Sequence, residues 1–419
     1  MGVLRSYFQK PILIILFLGF ASGVPLALIL TTIKAFLVDK QVDLTTIGFF
    51  SLTMLPYTFK FLWAPLLDSI KIPVLSRKLG KRRSWIISMQ TLIIFLICLL
   101  GALSNSYDLS EVILLSVLIA ITSASHDIVV DAYRVESVKP ENQAIAASMY
   151  IYGYRIGMLV SGALALILSD HISWNFVYYF VAGVMGVGVI TVLCATEKGS
   201  APSKLSNFNF LEWFKSAVID PFVDFTNHQK WVLILIFVVF FKLSDAFAGN
   251  LSLPFLLSVG FTKTQIATIV KTFGLFATLL GAFLGGFIVK KIGLMRGLYL
   301  AATLQMFSNF GYYYLTFAGN NPHALYVVIF LENLCGGIGD VIFVAYLSSL
   351  CNFKFTATQY ALLASLSSFA RSFIASPAGI VAQKYGWSNF FLLSIALGLP
   401  SLILLYIINL KNIKTAKNH

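Results

Sequence analysis

Residues Ser123–Glu136 read SASHDIVVDAYRVE and close an apolar run that begins at Val112. A run of about 20 apolar residues predicts a membrane-spanning helix. This one nevertheless carries His126, Asp127 and Asp131 near its end. Asp127, Asp131 and Arg134 stand at i, i+4 and i+7, which puts them on one helical face. A carboxylate inside a membrane costs roughly 2.5–3.5 kcal/mol on insertion scales, so it marks a polar cavity or a partner. A second copy lies 213 residues further on, where Asp340–Tyr346 reads DVIFVAY against DIVVDAY at Asp127–Tyr133. Asp127 matches Asp340 and Tyr133 matches Tyr346, but Val344 stands where Asp131 stands. The two stretches indicate a duplication whose halves carry unequal work.

The composition agrees with a membrane chain. Of 419 residues, 58% are hydrophobic and 11% charged, against about 25% charged in soluble proteins, and mean hydropathy is +0.86. The net charge of +13 would suggest nucleic acid in a soluble protein. Here the basic residues cluster in loops, so lipid headgroups and topology account for them and no nucleic-acid partner is expected. Cys98, Cys194, Cys335 and Cys351 form neither a disulfide framework nor a metal-site spacing. The histidines do not pair at ligand spacing, and the chain has no Walker loop and no G-x-S-x-G elbow. An ATP-driven pump and a serine hydrolase are therefore disfavoured, and no metal, cofactor or enzyme activity is expected.

The apolar pattern predicts twelve spans, at 11–37, 44–67, 84–104, 111–133, 142–168, 174–195, 230–258, 265–289, 296–317, 324–350, 357–383 and 388–410. The first is too long for a signal peptide and lacks a clear cleavage site, so it is read as a retained helix. Alternate loops collect 21 basic residues on one side and 4 on the other. Positive charge favours the cytoplasmic side, so both termini are expected there. The longest connector, 196–229, reads as a linker, with a short interfacial helix around Leu211, Trp213 and Phe214 as the alternative. The expected domains are 1–195, a linker 196–229, and 230–419.

The internal register extends beyond the opening motif. The basic loop Gly80-Lys81-Arg82-Arg83 has a shorter counterpart at Lys290-Lys291-Ile292-Gly293, and Arg155 and Arg371 stand 216 residues apart in equivalent spans. A register that drifts only at loops is what a tandem duplication leaves. Two parallel six-helix halves are the layout of the major facilitator superfamily, in which substrate sits between the halves. The loop also resembles that superfamily's cytoplasmic G-x-x-x-D-(R/K)-x-G-(R/K) signature with an insertion. The expected fold is all-α, twelve transmembrane helices in two six-helix bundles.

Polar residues inside the spans are the candidate site. Asp127 and Lys60 each lie 16 residues from the outer start of their spans, a similar depth at which they can pair. Asp68, Arg82, Arg83, Asp131 and Arg134 lie at the inner mouth, where Asp131 is either a gate salt bridge or a proton carrier. Arg155 and Arg371 are expected to face each other. Lys242 and Asp245, at i and i+3, either neutralise each other or act separately. Lys271 either snorkels or meets substrate, and Glu332 is open to a gate or a coupling role. Burial of a carboxylate favours its neutral form, so such a group can load a proton on one side and release it on the other. Asp127 is the first choice for that carrier, followed by Asp245 and Asp340. His126 is either a hydrogen-bonding residue or a titrating one. A membrane enzyme would need a nucleophile–base set, and none is visible; a transporter-like sensor would need a soluble output domain.

Six stretches of the first half resemble the AmpG-type muropeptide permeases, which are related to the acetyl-CoA transporters. They are LGFASGVPLAL at Leu18–Leu28, DLTTIGFFSL at Asp43–Leu52, FKFLWAPLLD at Phe59–Asp68, GKRR at Gly80–Arg83, SASHDIVVDA at Ser123–Ala132 and GYRIGMLVSG at Gly153–Gly162. The second half matches mainly in pattern. The resemblance implies a monomeric, multi-pass protein of the bacterial inner membrane that imports anhydro-muropeptides with protons for cell-wall recycling. The proton gradient is then the energy source. It implies that Tyr57, Tyr152 and Tyr154 stack on sugar and that Lys60 and Arg155 take carboxylates, with His126, Lys271 and Arg371 also near substrate. One departure concerns the fourth span, where the family reads S-Q-D-I and this chain has His126 in place of Gln. An anionic CoA-like or nucleotide-like solute is the alternative cargo.

Overall fold

The structure, a computed structural model, describes residues 2–104, 106, 108–197, 212, 214–369, 374 and 377–416. Among them the chain is helical and holds no strand. Nine helical stretches of 21–32 residues are long and apolar enough to cross a membrane. The remaining three expected spans have physical reasons for falling outside that set. The second is not one helix: Leu44–Phe49, Leu55–Phe59 and Ala64–Ser69 follow one another through tight turns, with Pro56 and Pro65 each at a new helix start. Proline has no N–H to give and clashes with the carbonyl four residues back, so it restarts the helix. The ninth, Leu294–Ala318, is long enough but carries Arg296, Gln305, Ser308 and Asn309 among its apolar residues. The eleventh is described only in part, and Gly386 at φ 76° separates it from the twelfth.

Helix starts are written locally. Asp108 accepts the Ser110 N–H at 2.8 Å ahead of Leu109–Ser137. Asp43 accepts the Thr46 N–H at 2.9 Å ahead of Leu44–Phe49. Asn321 caps Pro322–Ser349, and Thr262 and Gln265 form a reciprocal capping box. Such side chains satisfy N–H groups that a helix leaves unpaired at its first turn.

Contacts divide the chain into two units. The first comprises Met1–Phe222 and Cys351–Ser365, the second Val223–Leu350 and Leu366–His419. In the first unit, the first and fifth spans cross backbone to backbone on glycines. A Cβ at Gly153 would stand 1.8 Å from the Leu16 carbonyl oxygen, and one at Gly23 would stand 2.1 Å from that of Tyr154. Near this crossing Pro25 interrupts the first span's ladder, and a widened turn follows at Leu28–Thr32. The fifth span widens in the same way at Val160–Leu164. The Ser161 hydroxyl donates to the Val24 carbonyl at 2.6 Å and Thr32 donates to the Ser161 carbonyl at 2.5 Å, so hydrogen bonds tie the two spans together beside their widened turns. The second unit repeats the device, since a Cβ at Gly281 would stand 2.2 Å from the Leu334 carbonyl oxygen. Its aromatic core stacks Phe241 on Phe343 and Phe247 on Phe390.

Candidate functional site

The first unit holds two polar clusters. At the end that carries the basic loop, buried Asp68 closes the second span. Its Oδ1 accepts from Arg82 Nη2 at 2.7 Å and lies 3.8 Å from Lys81 Nζ, which also donates to the Asp68 carbonyl. Its Oδ2 accepts from the Thr358 N–H and the Thr358 hydroxyl, each at 3.0 Å. Thr358 lies in the first turn of Thr356–Phe369, where N–H groups lack partners within the helix and a negative charge is favoured. Arg82 reaches on to Glu136, with Nη2–Oε1 at 2.7 Å and Nε–Oε2 at 3.1 Å. The expectation that Asp68 and Arg82 work together at the inner mouth thus corresponds to a direct ion pair.

Arg83 has a different task. Its guanidinium donates to the carbonyls of Val192 and Leu193 at 3.0 and 3.1 Å, at the end of the Trp174–Cys194 helix. The backbone N–H groups of Arg82 and Arg83 both donate to the Glu197 carboxylate at 3.0 Å. Gly80, at φ 93°, is the residue before the Lys81–Leu103 helix, and a Cβ there would lie 2.4 Å from Glu197 Oε2. The helix start is therefore capped by a residue distant in sequence, in the place a local Ser or Asp would take.

Further along the fourth span, Asp131 lies 3.4 Å from Arg134 and 3.9 Å from Lys60. Two expectations change here. Lys60 pairs with Asp131 and not with Asp127, because the broken second span turns the Lys60–Leu62 segment against the next turn of the fourth. Asp131 pairs within its own helix and with Lys60, while Arg82 is held by Asp68 and Glu136. Arg134 is fully buried, between the rings of Tyr360 at 5.1 Å and Tyr150 at 5.9 Å. This is a setting in which a guanidinium is favoured over an ammonium.

Asp127 is buried, and its Oδ1 has no hydrogen-bond partner among the described residues. The same holds for Tyr57 Oη on the second span and Ser123 Oγ on the fourth. Tyr57 lies close enough to Asp127 to feel its charge. Buried polar atoms are rarely left unpaired, so this small group is a site with spare hydrogen-bonding capacity. His126, next in sequence, is spoken for: Nε2 lies 3.1 Å from Gln90 Nε2 and Nδ1 lies 3.4 Å from Ser22 Oγ. With no exposed surface, it ties the first, third and fourth spans together rather than lining an open cavity. Tyr152 and Arg155 are half-buried on the fifth span, and Arg155 makes no ion pair among the described residues.

The second unit places its charges differently. Lys242 is paired with Asp340 across two spans, not with Asp245 one turn away. The reason is steric direction, since Lys242 reaches the facing Pro322–Ser349 helix with its whole stem buried. Glu332 Oε2 accepts from Asn333 Nδ2 at 2.7 Å, and Asn333 Oδ1 accepts from Thr278 at 3.0 Å. Lys271 is exposed on the widened turn Ala267–Phe273. Arg371 lies outside the described residues, as do Leu211 and Trp213 of the alternative interfacial helix, but the segment that follows them is helical over Lys215–Ile219 and Asp220–Thr226. Sequence reasoning missed Glu136, Glu197, Thr358, Tyr360 and Gln90. Only Glu136 carried a signal, as an acidic residue continuing the fourth helix beyond the apolar run.

The sequence profile of the Major Facilitator Superfamily matches residues 12–375. The chain is 40% identical over 406 residues to the anhydromuropeptide permease of Escherichia coli strain K12, covering 96% of this chain and 81% of that one. Among solved structures it superposes on the proton:xylose symporter XylE with a TM-score of 0.68, at 11% identity and 96% coverage of each chain. It superposes on the human organic anion transporter MFSD10 with a TM-score of 0.67, at 15% identity, covering 94% of this chain and 99% of that one. These structures show a shared fold, and the relatives are transporters, not enzymes. The duplicated pattern of apolar spans, the basic loop and these matches lead to one statement: the chain belongs to the Major Facilitator Superfamily of multi-pass membrane transporters, in the family of the anhydromuropeptide permeases.

Proposed function

We propose that this protein is a proton-driven permease of the bacterial inner membrane that brings anhydro-muropeptides into the cytoplasm for cell-wall recycling. The observation that carries the reading is 40% identity, over nearly the whole chain, to a permease named for that solute. The chemistry of the first unit agrees with it. Asp127 is the proton carrier, beside Tyr57 and Ser123 whose buried oxygens are also unpaired. Lys60, Arg155, Tyr57 and Tyr152 serve a solute that has both sugar faces and carboxylates. Asp68, Arg82 and Glu136, with Thr358, form the gate on the cytoplasmic side. Two six-helix halves, 1–195 and 230–419, flank the 196–229 linker, and both termini face the cytoplasm. The protein acts as a monomer, without a cofactor, on the proton gradient. One proton moving across about 100 mV supplies about 2.3 kcal/mol, enough for roughly fifty-fold accumulation.

The test is uptake of labelled anhydro-disaccharide into right-side-out vesicles, with and without an imposed pH gradient. Wild type accumulates the label only with the gradient, and Asp127→Asn abolishes the gradient response. Uptake that persists unchanged in Asp127→Asn removes Asp127 as carrier. An absence of uptake by folded wild type removes the muropeptide.

A further inference from the structure

The transport reading leaves one cleft of the first unit unused. It lies between the first and sixth spans, has a volume of about 460 Å³, and is walled by Leu13, Phe17, Ile190 and Cys194. Phe17 and Ile190 are among the chain's exposed large apolar side chains, at 46% and 64%. Lys10 is the sole charged residue of the lining. It opens the first span, and Cys194 closes the sixth, so the charged end of the cleft lies at the membrane surface that carries the basic loops.

Three independent features converge at that end. Lys10 is exposed. The helix start beside it has no side-chain cap, because Gln9 makes no capping hydrogen bond. Pro11 has no N–H and the Ile12 and Leu13 N–H groups already donate to the Gln9 carbonyl, so what this helix start offers an anion is its dipole. Arg5, also exposed, lies on the short preceding helix Gly2–Tyr7. Deeper in, the walls are hydrocarbon. Lys10 to Phe17 spans about 10 Å of helix rise, the outer part of one leaflet. An anion site at the surface continued inward by an apolar slot has the shape of one lipid molecule. Basic pockets between spans at such a surface are a known way of holding anionic headgroups.

We propose that this cleft is a specific site for one anionic phospholipid. Its phosphate sits on Lys10, at the positive end of the helix dipole, and one acyl chain lies between Leu13 and Phe17 on one wall and Ile190 on the other. Bound there, the lipid joins the first span, which crosses the fifth on its glycines, to the sixth.

The full chain is purified in detergent and loaded with phosphatidylglycerol or phosphatidylcholine of matched acyl chains, and retained lipid is counted by native mass spectrometry. One phosphatidylglycerol is expected to survive activation that strips phosphatidylcholine. Lys10→Gln lowers its occupancy about fivefold, the equivalent of about 1 kcal/mol for one charge at a lipid surface, while Lys10→Arg keeps it. Ile190→Trp, which fills the slot, also lowers it in protein that stays monodisperse. Equal retention of the two lipids overturns the proposal, as does a Lys10→Gln effect without an Ile190→Trp effect. Should Ile190→Trp not fold, Phe17→Trp reads the same seat by fluorescence. Phosphatidylglycerol with brominated acyl chains must then quench the added Trp more than brominated phosphatidylcholine, and equal quenching overturns the assignment.

Discussion

Asp68 Oδ2 accepts both the backbone N–H and the hydroxyl of Thr358 at 3.0 Å, while Oδ1 holds Arg82 at 2.7 Å. One buried carboxylate therefore neutralises a guanidinium and caps a helix at Thr358, 290 residues later. Removing one member of such a pair leaves the other charge buried, at a cost of roughly 3–5 kcal/mol. Asp68→Ala is expected to loosen the Thr356–Phe369 helix start. Maleimide labelling of Cys351, in a background where the other cysteines are replaced by alanine, should rise several-fold. Unchanged labelling would show that Thr358 stays docked without the carboxylate.

The glycine crossing of the first and fifth spans makes a sharper stability prediction. A Cβ at Gly153 meets backbone, which cannot swing away as a side chain can, whereas a Cβ at Gly183 meets nothing within 4 Å. Overpacking of this kind costs about 1–3 kcal/mol. Gly153→Ala should lower the thermal midpoint clearly in detergent, and Gly183→Ala should leave it in place. Equal midpoints for the two variants would refute the close crossing.

His126 makes two hydrogen bonds, to Gln90 and Ser22, and has no exposed surface. An amide supplies one donor and one acceptor end, so His126→Gln should fold with wild-type stability and keep transport within about twofold. His126→Ala leaves Gln90 unpaired in the interior and should destabilise by about 1–3 kcal/mol. A His126→Gln variant as damaged as His126→Ala would mean that the imidazole itself is needed.

Lys242 and Asp340 offer a double-mutant cycle. Lys242→Met and Asp340→Asn each strand a partner, so each should destabilise, and the double variant should recover part of the loss. A coupling of about 0.5–3 kcal/mol is the range for residues in direct contact. Additive losses would place Lys242 on another partner, with Asp245 the first to examine.

Arg134 lies between two tyrosine rings beside Asp131. Arg134→Lys keeps the charge but loses the planar stacking and the fork of donors. A loss of about 1–2 kcal/mol is expected in denaturant titrations, comparable to a desolvated cation–π contact. Tyr360→Leu should give a similar loss on its own and little further loss in the Arg134→Lys background.

The fold was legible because its signals are periodic or compositional. Apolar runs marked the spans, and the 213-residue echo of DIVVDAY in DVIFVAY marked the duplication. What escaped depends on direction. Lys60 and Asp127 match in depth, yet the Pro56 and Pro65 restarts rotate Lys60 toward Asp131, and no depth count contains that rotation. Lys242 and Asp245 are neighbours in sequence, yet a long buried stem carries the ammonium to another helix. Glu197 accepts from backbone N–H groups of distant residues, and Thr358 offers its own backbone N–H to a distant carboxylate, pairings on which side-chain chemistry in the sequence leaves no mark.

Glu197 lies 115 residues beyond the backbone N–H of Arg82 that it accepts. During synthesis the third span therefore enters the membrane with its leading amides unsatisfied. They stay so until the fourth, fifth and sixth spans have been made and the chain just past Cys194 has emerged. The cap is in this sense a completion signal, and a nascent chain stalled before residue 197 holds its first six spans but not the residue that caps the third. Thr358 sets a second and later appointment with Asp68, so this end of the first unit is finished only when most of the protein exists.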